Sequence, residues 1–153
     1  MTLTPGDLAP SFALSDQHGD DVRLEDFQGR KLLVYFYPKA DTPGCTTQSC
    51  EVRDHRQEFA ELGVDVIGIS PDEPADQLAF DRKFSLGFPL LADIDHEVSD
   101  AWGTWGEKTL YGNTYMGVIR SSFLVDEQRR IEQAWYKVSP AKTVPFARKA
   151  LAG

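Results

Sequence analysis

The chain holds two cysteines, Cys45 and Cys50, inside the run Tyr35-Phe36-Tyr37-Pro38-Lys39-Ala40-Asp41-Thr42-Pro43-Gly44-Cys45-Thr46-Thr47-Gln48-Ser49-Cys50-Glu51. The run leaves an apolar segment, turns, and enters a stretch with the marks of a helix start. Thr42 suits the N-cap, Pro43 suits the first helical position, and Cys45 then falls in the first turn. The unpaired N–H groups of that turn, with the helix dipole behind them, favour negative charge on a sulfur. A thiolate is the reactive form of cysteine, so Cys45 is placed to be a nucleophile, and the Thr42 hydroxyl can point toward the same spot.

Cys50 adds a geometric constraint. Two residues five apart on a continuous helix are turned by about 140° and raised by roughly 7.5 Å. Their Cα atoms then lie ~8–9 Å apart, beyond the ~7 Å a disulfide spans. Either the helix stops before Cys50 or it unwinds when the sulfurs bond. A reversible redox pair fits that arrangement better than a structural staple.

A thiol chemistry of this kind needs a cationic partner. Arg120 sits just before the apolar run Ser121-Ser122-Phe123-Leu124-Val125, where its planar donor fork can be presented beside a helix N-terminus. Other candidates fall away. His55, ten residues after Cys45, would lie about 15 Å from it on one helix. His96-Glu97-Val98-Ser99-Asp100 lacks the second histidine of a zinc helix. Asp93, Asp95 and Glu97 alternate as in a calcium loop but lack its glycine and its bidentate glutamate, so a helix cap with acidic first-turn residues explains them better. Trp102, Trp105, Tyr111, Tyr115 and Met116 cluster with Gly103, Gly106, Gly112 and Gly117. They read either as an aromatic, mobile rim or as core packing under a long loop.

The elements around these residues follow from short apolar runs. Leu32 to Phe36, Val64 to Ile69 and Ser121 to Val125 are predicted as buried strands. Helices are predicted from Thr42-Pro43-Gly44 to Leu62 and from near Pro74 through Leu78, Phe80 and Phe84. Phe12-Ala13-Leu14 and Val22-Arg23-Leu24 form a predicted N-terminal hairpin, and Phe123–Asp126 with Ile131–Trp135 a second one. A last helix is predicted from Thr143 to Leu151, with Pro145 in its first turn. Alternating strands and helices point to an α/β domain, one unit over residues 1–153, with a mixed central sheet and about four flanking helices.

Bulk properties narrow the setting. The 153 residues are 41% hydrophobic and 26% charged, with a formal net charge of −8. Such acidity disfavours nucleic acid and anionic membranes as partners. The N-terminus has no basic segment followed by an apolar run, and no stretch approaches the roughly 18 apolar residues of a membrane helix. A cytoplasmic, reducing location is expected, where paired cysteines signal chemistry more than stapling.

Pro38-x-x-x-Thr42-x-x-Cys45 matches the active-site motif of the peroxiredoxins. The run from Tyr35 to Glu51, with its second cysteine five residues on, resembles the peroxiredoxin Q branch, also called bacterioferritin comigratory protein. The similarity extends to Pro5-Gly6-Asp7-x-Ala9-Pro10-x-Phe12, Val66 to Asp72, Phe88 to Asp93 and Gly117 to Phe123. The resemblance implies a thioredoxin-like fold with an N-terminal hairpin extension. It implies Cys45 as the peroxidatic cysteine, Pro38 as its shield, and Thr42 as hydrogen-bond partner of thiolate and peroxide. Arg120 would stabilise the thiolate and orient the oxygens, and Cys50 would be the resolving cysteine. The implied activity is reduction of hydrogen peroxide and organic hydroperoxides, with thioredoxin or a similar dithiol as reductant, no cofactor, no metal, and a monomeric chain.

Two other readings use the same cysteines. A thioredoxin-like thiol–disulfide oxidoreductase would more naturally carry C-x-x-C at the helix start. A non-enzymatic redox sensor would use the disulfide to melt a helix and alter a partner surface. Peroxide consumption under turnover separates both from a peroxidase.

Overall fold

The computed structural model describes residues 2–152. The pattern of β3 (Lys31–Phe36) sets the architecture, because both of its faces are apolar. Leu32, Val34 and Phe36 point to one side and Leu33 and Tyr35 to the other, and all are buried. A strand buried on both faces has to lie inside a sheet covered on both sides. β3 pairs in parallel with β4 (Val64–Ser70) and antiparallel with β8 (Ser121–Val125). The seven-stranded sheet runs β2-β1-β5-β4-β3-β8-β9. Its outer members are the hairpin β1 (Ala13–Ser15) and β2 (Asp21–Arg23), the short β5 (Leu90–Ala92), and β9 (Ile131–Trp135). It is the mixed sheet expected from the sequence.

One face carries α1 (Pro43–Glu61), α2 (Pro74–Phe84) and α4 (Thr143–Ala152). α1 turns Cys45, Val52 and Phe59 inward at helical spacing, into a core with Leu33, Tyr35, Tyr37, Phe80 and Val144. α4 begins at Thr143 with Pro145 in its first turn, where the missing N–H costs nothing. The other face packs Val34, Phe36, Ile69 and Phe123 against Phe12 and the fully buried Trp102. Gly68 on β4 allows close approach: a Cβ there would lie 2.9 Å from the Tyr35 phenol. Among the described residues no helix is long and apolar enough to cross a membrane.

The segment from 102 to 118, left open in the sequence between a mobile rim and packing under a long loop, is mostly a β-ribbon. α3 (Glu97–Ala101) is followed by an antiparallel ribbon, β6 (Trp105–Leu110) and β7 (Asn113–Val118), closed by Tyr111 and Gly112, both at positive φ. Two positive-φ residues form the tight turn that matches strand twist. The aromatic cluster divides between the two readings. Trp102 is core, whereas Tyr111, Tyr115 and Met116 are exposed on the ribbon. The acidic run before α3 acts as a cap: the Asp93 carboxylate accepts the N–H groups of Val98 and Ser99, at 3.2 and 2.8 Å.

Candidate active site

Cys45 and Arg120 meet at one edge of the sheet. β3 pairs with β8 so that Phe36 lies opposite Ser121. The end of β3, which leads into α1, therefore lies beside the start of β8, which Arg120 precedes. That register brings together residues 75 apart in sequence: Arg120 Nη2 donates to Cys45 Sγ at 3.3 Å. Cys45 is 1% exposed and lies in the first turn of α1. A guanidinium at this distance, with the positive end of a helix behind the sulfur, stabilises negative charge in a site of low dielectric.

The loop before α1 is pinned from the neighbouring β4–α2 connection. The backbone N–H of Ala40 donates to Asp72 Oδ2 at 2.7 Å, and the same oxygen accepts from the Ser70 hydroxyl at 2.6 Å. Lys83 on α2 bridges to Asp41, which sits at positive φ. Pro38 lies half-buried where β3 gives way to this loop. Gly44 is the point of closest approach, since a Cβ there would lie 3.1 Å from Arg120 Nη2 and 3.2 Å from the Pro140 ring. A side chain there would press on the arginine and the proline ring by a few tenths of an ångström, so glycine leaves the fork free to reach the thiol.

Thr42 occupies the N-cap as its type predicted, but its hydroxyl makes no capping hydrogen bond to the helix. It donates to the Lys39 carbonyl at 2.8 Å, tightening the turn. The N–H groups of the first turn are thereby left free of the Thr42 side chain.

Cys50 is half-buried and its thiol is free. α1 is continuous from Pro43 to Glu61, so both cysteines ride on one unbroken helix, ~8–9 Å apart by helix geometry. The two sulfurs cannot bond in this conformation. Beneath them, Tyr35 Oη shares a 2.7 Å hydrogen bond with Ser49 Oγ. Burial pushes the Tyr35 phenol far above its ordinary range, with the negative field of Cys45 and Cys50 adding to it against the Ser49 hydrogen bond. Tyr35 is therefore a neutral, fixed floor and not a proton carrier at physiological pH.

Two further groups at this site were not singled out from the sequence. Gln48, fully buried one turn after Cys45, accepts from Arg120 Nη1 at 2.7 Å. Its position within the helix start was visible, but nothing local marks a glutamine as the partner of a residue 72 positions on. Lys108, on β6, donates to the Val118 carbonyl at 2.9 Å. Its ammonium is held below the usual lysine range by burial and then by Arg120, while Cys45 acts the other way. His55 Nδ1 pairs with the Glu51 carbonyl at 3.0 Å, one turn back along α1.

Comparison with known proteins places the chain in a family. The AhpC/TSA family model matches residues 5–134. Peroxiredoxin Bcp of Escherichia coli is 52% identical over 133 residues, covering 87% of this chain and 85% of that one. A putative peroxiredoxin of Mycobacterium tuberculosis is 50% identical over 149 residues, covering 97% and 95%. Among solved structures, Xanthomonas campestris peroxiredoxin Q superposes with a TM-score of 0.87 at 34% identity, over 92% of this chain and 89% of that one. A cysteine-to-serine mutant of Xylella fastidiosa PrxQ superposes with a TM-score of 0.91 at 30% identity, over 100% and 99%. The chain belongs to the AhpC/TSA family, within the peroxiredoxins of the Q, or bacterioferritin comigratory protein, branch.

Proposed function

We propose that this thiol peroxidase reduces hydroperoxides with Cys45 and resolves the product with Cys50 of the same chain. The reading rests on one observation above the others: the buried Cys45 thiol, at a helix N-terminus, faces the Arg120 guanidinium at 3.3 Å. The Cys45 thiolate attacks the distal oxygen of the hydroperoxide, the O–O bond breaks, and the leaving oxygen departs as alcohol or water once protonated. Sulfur is oxidised to a sulfenic acid. Arg120 and the free N–H groups of the first turn donate toward the oxygens as charge develops on them. Pro38 and the rest of the pinned loop keep bulk water from the sulfur. Thr42, rotated about χ1, completes the donor set.

Resolution requires α1 to open. The Cys50 thiol attacks the Cys45 sulfenic sulfur, a disulfide forms, and water leaves. The inward side of this part of α1 carries Gln48 and Ser49 in place of apolar residues, so unwinding gives up little hydrophobic burial. A Glu51 carboxylate oxygen is buried without a hydrogen-bond partner, a penalty that opening relieves. Thioredoxin or a similar dithiol then reduces the disulfide. Alkyl peroxide reduction is the activity named for the Xanthomonas campestris bacterioferritin comigratory protein, at 33% identity, and supports organic hydroperoxides as substrates here.

The test is NADPH consumption with hydroperoxide, thioredoxin and thioredoxin reductase. Wild type is expected to turn over. Cys50→Ser is expected to lose at least about 90% of steady-state turnover while still consuming one equivalent of peroxide. Full turnover by Cys50→Ser would mean that an external thiol resolves the sulfenic acid. No turnover by fully reduced wild type would favour the exchange or sensor roles. Hydrogen exchange supplies the structural half: amides from 45 to 50 should lose protection in the disulfide form, and equal protection in both redox states would contradict helix opening.

A further inference from the structure

A chain of buried side chains runs from Arg120, which donates to the thiol, to the start of α4. Arg120 Nη1 donates to Gln48 Oε1 at 2.7 Å, Gln48 Nε2 donates to Thr143 Oγ1 at 2.8 Å, and Thr143 Oγ1 lies 2.7 Å from Ser122 Oγ. Gln48, Thr143 and Ser122 are each 0% exposed.

The order of donors along this chain is fixed by chemistry. A guanidinium has no acceptor, so Gln48 must turn its carbonyl oxygen to Arg120. Its NH2 group then faces Thr143, which must accept. If the amide turned over, donors would oppose donors at Arg120 and the buried carbonyl would face away from the one cation within reach. Arg120 thus sets which way the Gln48 amide faces, and Thr143, accepting from Nε2, holds the far end of that amide in place. With Nη1 anchored on the held carbonyl, the planar fork aims Nη2 at Cys45 Sγ. Ser122, on β8 two residues after Arg120, fixes the Thr143 hydroxyl from the sheet side.

From this relay we infer that Thr143 is a positioning residue for the peroxidatic site, acting on Arg120 through the Gln48 amide. The inference rests on the reading of Cys45 as the reactive thiol. Thr143 lies 98 residues beyond Cys45, at the start of an element with no other link to the chemistry. Valine at this position would keep the β-branched shape and remove the acceptor. The Gln48 NH2 would then lack a buried partner, and the arginine fork its fixed anchor.

The experiment is the second-order rate constant for oxidation of the full chain by hydrogen peroxide, with thermal unfolding measured for each variant. Thr143→Val is expected to slow oxidation about tenfold, the scale of a modest misplacement of a reacting group. Thr143→Ser, which restores the hydroxyl, should stay within about twofold of wild type. In a Gln48→Met background, Thr143→Val should add nothing further, because the residue acts through an amide already removed. A merely structural role would instead give multiplying effects, and no rescue by serine. Should the valine variant be unfolded at the assay temperature, Thr143→Ala makes the same comparison. A Thr143→Val protein at the wild-type rate, a serine variant as slow as valine, or multiplying effects with Gln48→Met would each overturn the role of Thr143. Wild type inert to peroxide would defeat the peroxidase reading itself, which is a different result.

Discussion

Cys45→Ser is expected to abolish hydroperoxide turnover, by at least about 10⁴-fold, because a serine hydroxyl is not ionised at neutral pH and the nucleophile is lost outright. The loss should be chemical. Serine is nearly isosteric, and its oxygen can still accept from Arg120 Nη2, so circular dichroism and the unfolding midpoint should stay near those of wild type. Stopped-flow mixing with hydrogen peroxide checks the claim. Residual consumption of one equivalent by Cys45→Ser would point to Cys50 as the first thiol oxidised. The geometry speaks against that order, since Cys50 lies more than one helical turn from the first turn of α1 and from the Arg120 fork.

Arg120→Leu is expected to slow Cys45 oxidation by about 10²–10³-fold, the range seen when a preorganised donor is removed from a developing charge. Two contacts disappear together: Nη2 to the thiol and Nη1 to Gln48. The second leaves a buried amide oxygen without its donor, so a lowered unfolding midpoint should accompany the lost rate. Arg120→Lys separates charge from geometry. A lysine keeps the cation but cannot serve both partners from a planar fork, and should recover only part of the loss. The rate of thiol oxidation, measured by stopped flow, is the readout. An Arg120→Leu protein within about threefold of wild type would remove the arginine from the chemistry.

The sequence was informative where a residue's local surroundings determine its state. β3, β4 and β8 carry dense apolar runs, β9 follows β8 across a short polar turn as the second half of a hairpin, and α1 opens on a Thr-Pro-Gly punctuation, so these elements and the place of Cys45 on them were legible. β5 spans only Leu90–Ala92, too short for a period to register, and α3, only Glu97–Ala101, was legible from its acidic cap alone. The β6–β7 ribbon was read as a loop for a physical reason. It projects from the body and much of both strands is exposed, so no alternation of apolar and polar residues is imposed on it. Its turn at Tyr111-Gly112 was the one local sign.

The site divides along the same line. A nucleophile at a helix start can be argued from adjacent residues. The approach of Arg120 depends on the β3–β8 register, and that of Thr143 on how α4 packs against α1, so periodicity reaches neither. The place of Arg120 ahead of an apolar strand made it a candidate, and resemblance to a known family supplied its role. Thr143 emerged only from the hydrogen bonds. Thr42 shows the reverse: its type predicted the N-cap position correctly, while its hydroxyl donates to the Lys39 carbonyl in place of a helix N–H cap.

The most direct test of the central claim is the intact mass of the reduced protein after one equivalent of hydroperoxide, followed by peptide mapping under non-reducing conditions. A single intramolecular disulfide between Cys45 and Cys50 is predicted, with the loss of two hydrogens per chain and no covalent dimer. A stable sulfenic acid on Cys45, a disulfide between chains, or unmodified thiols beside unconsumed peroxide would contradict it.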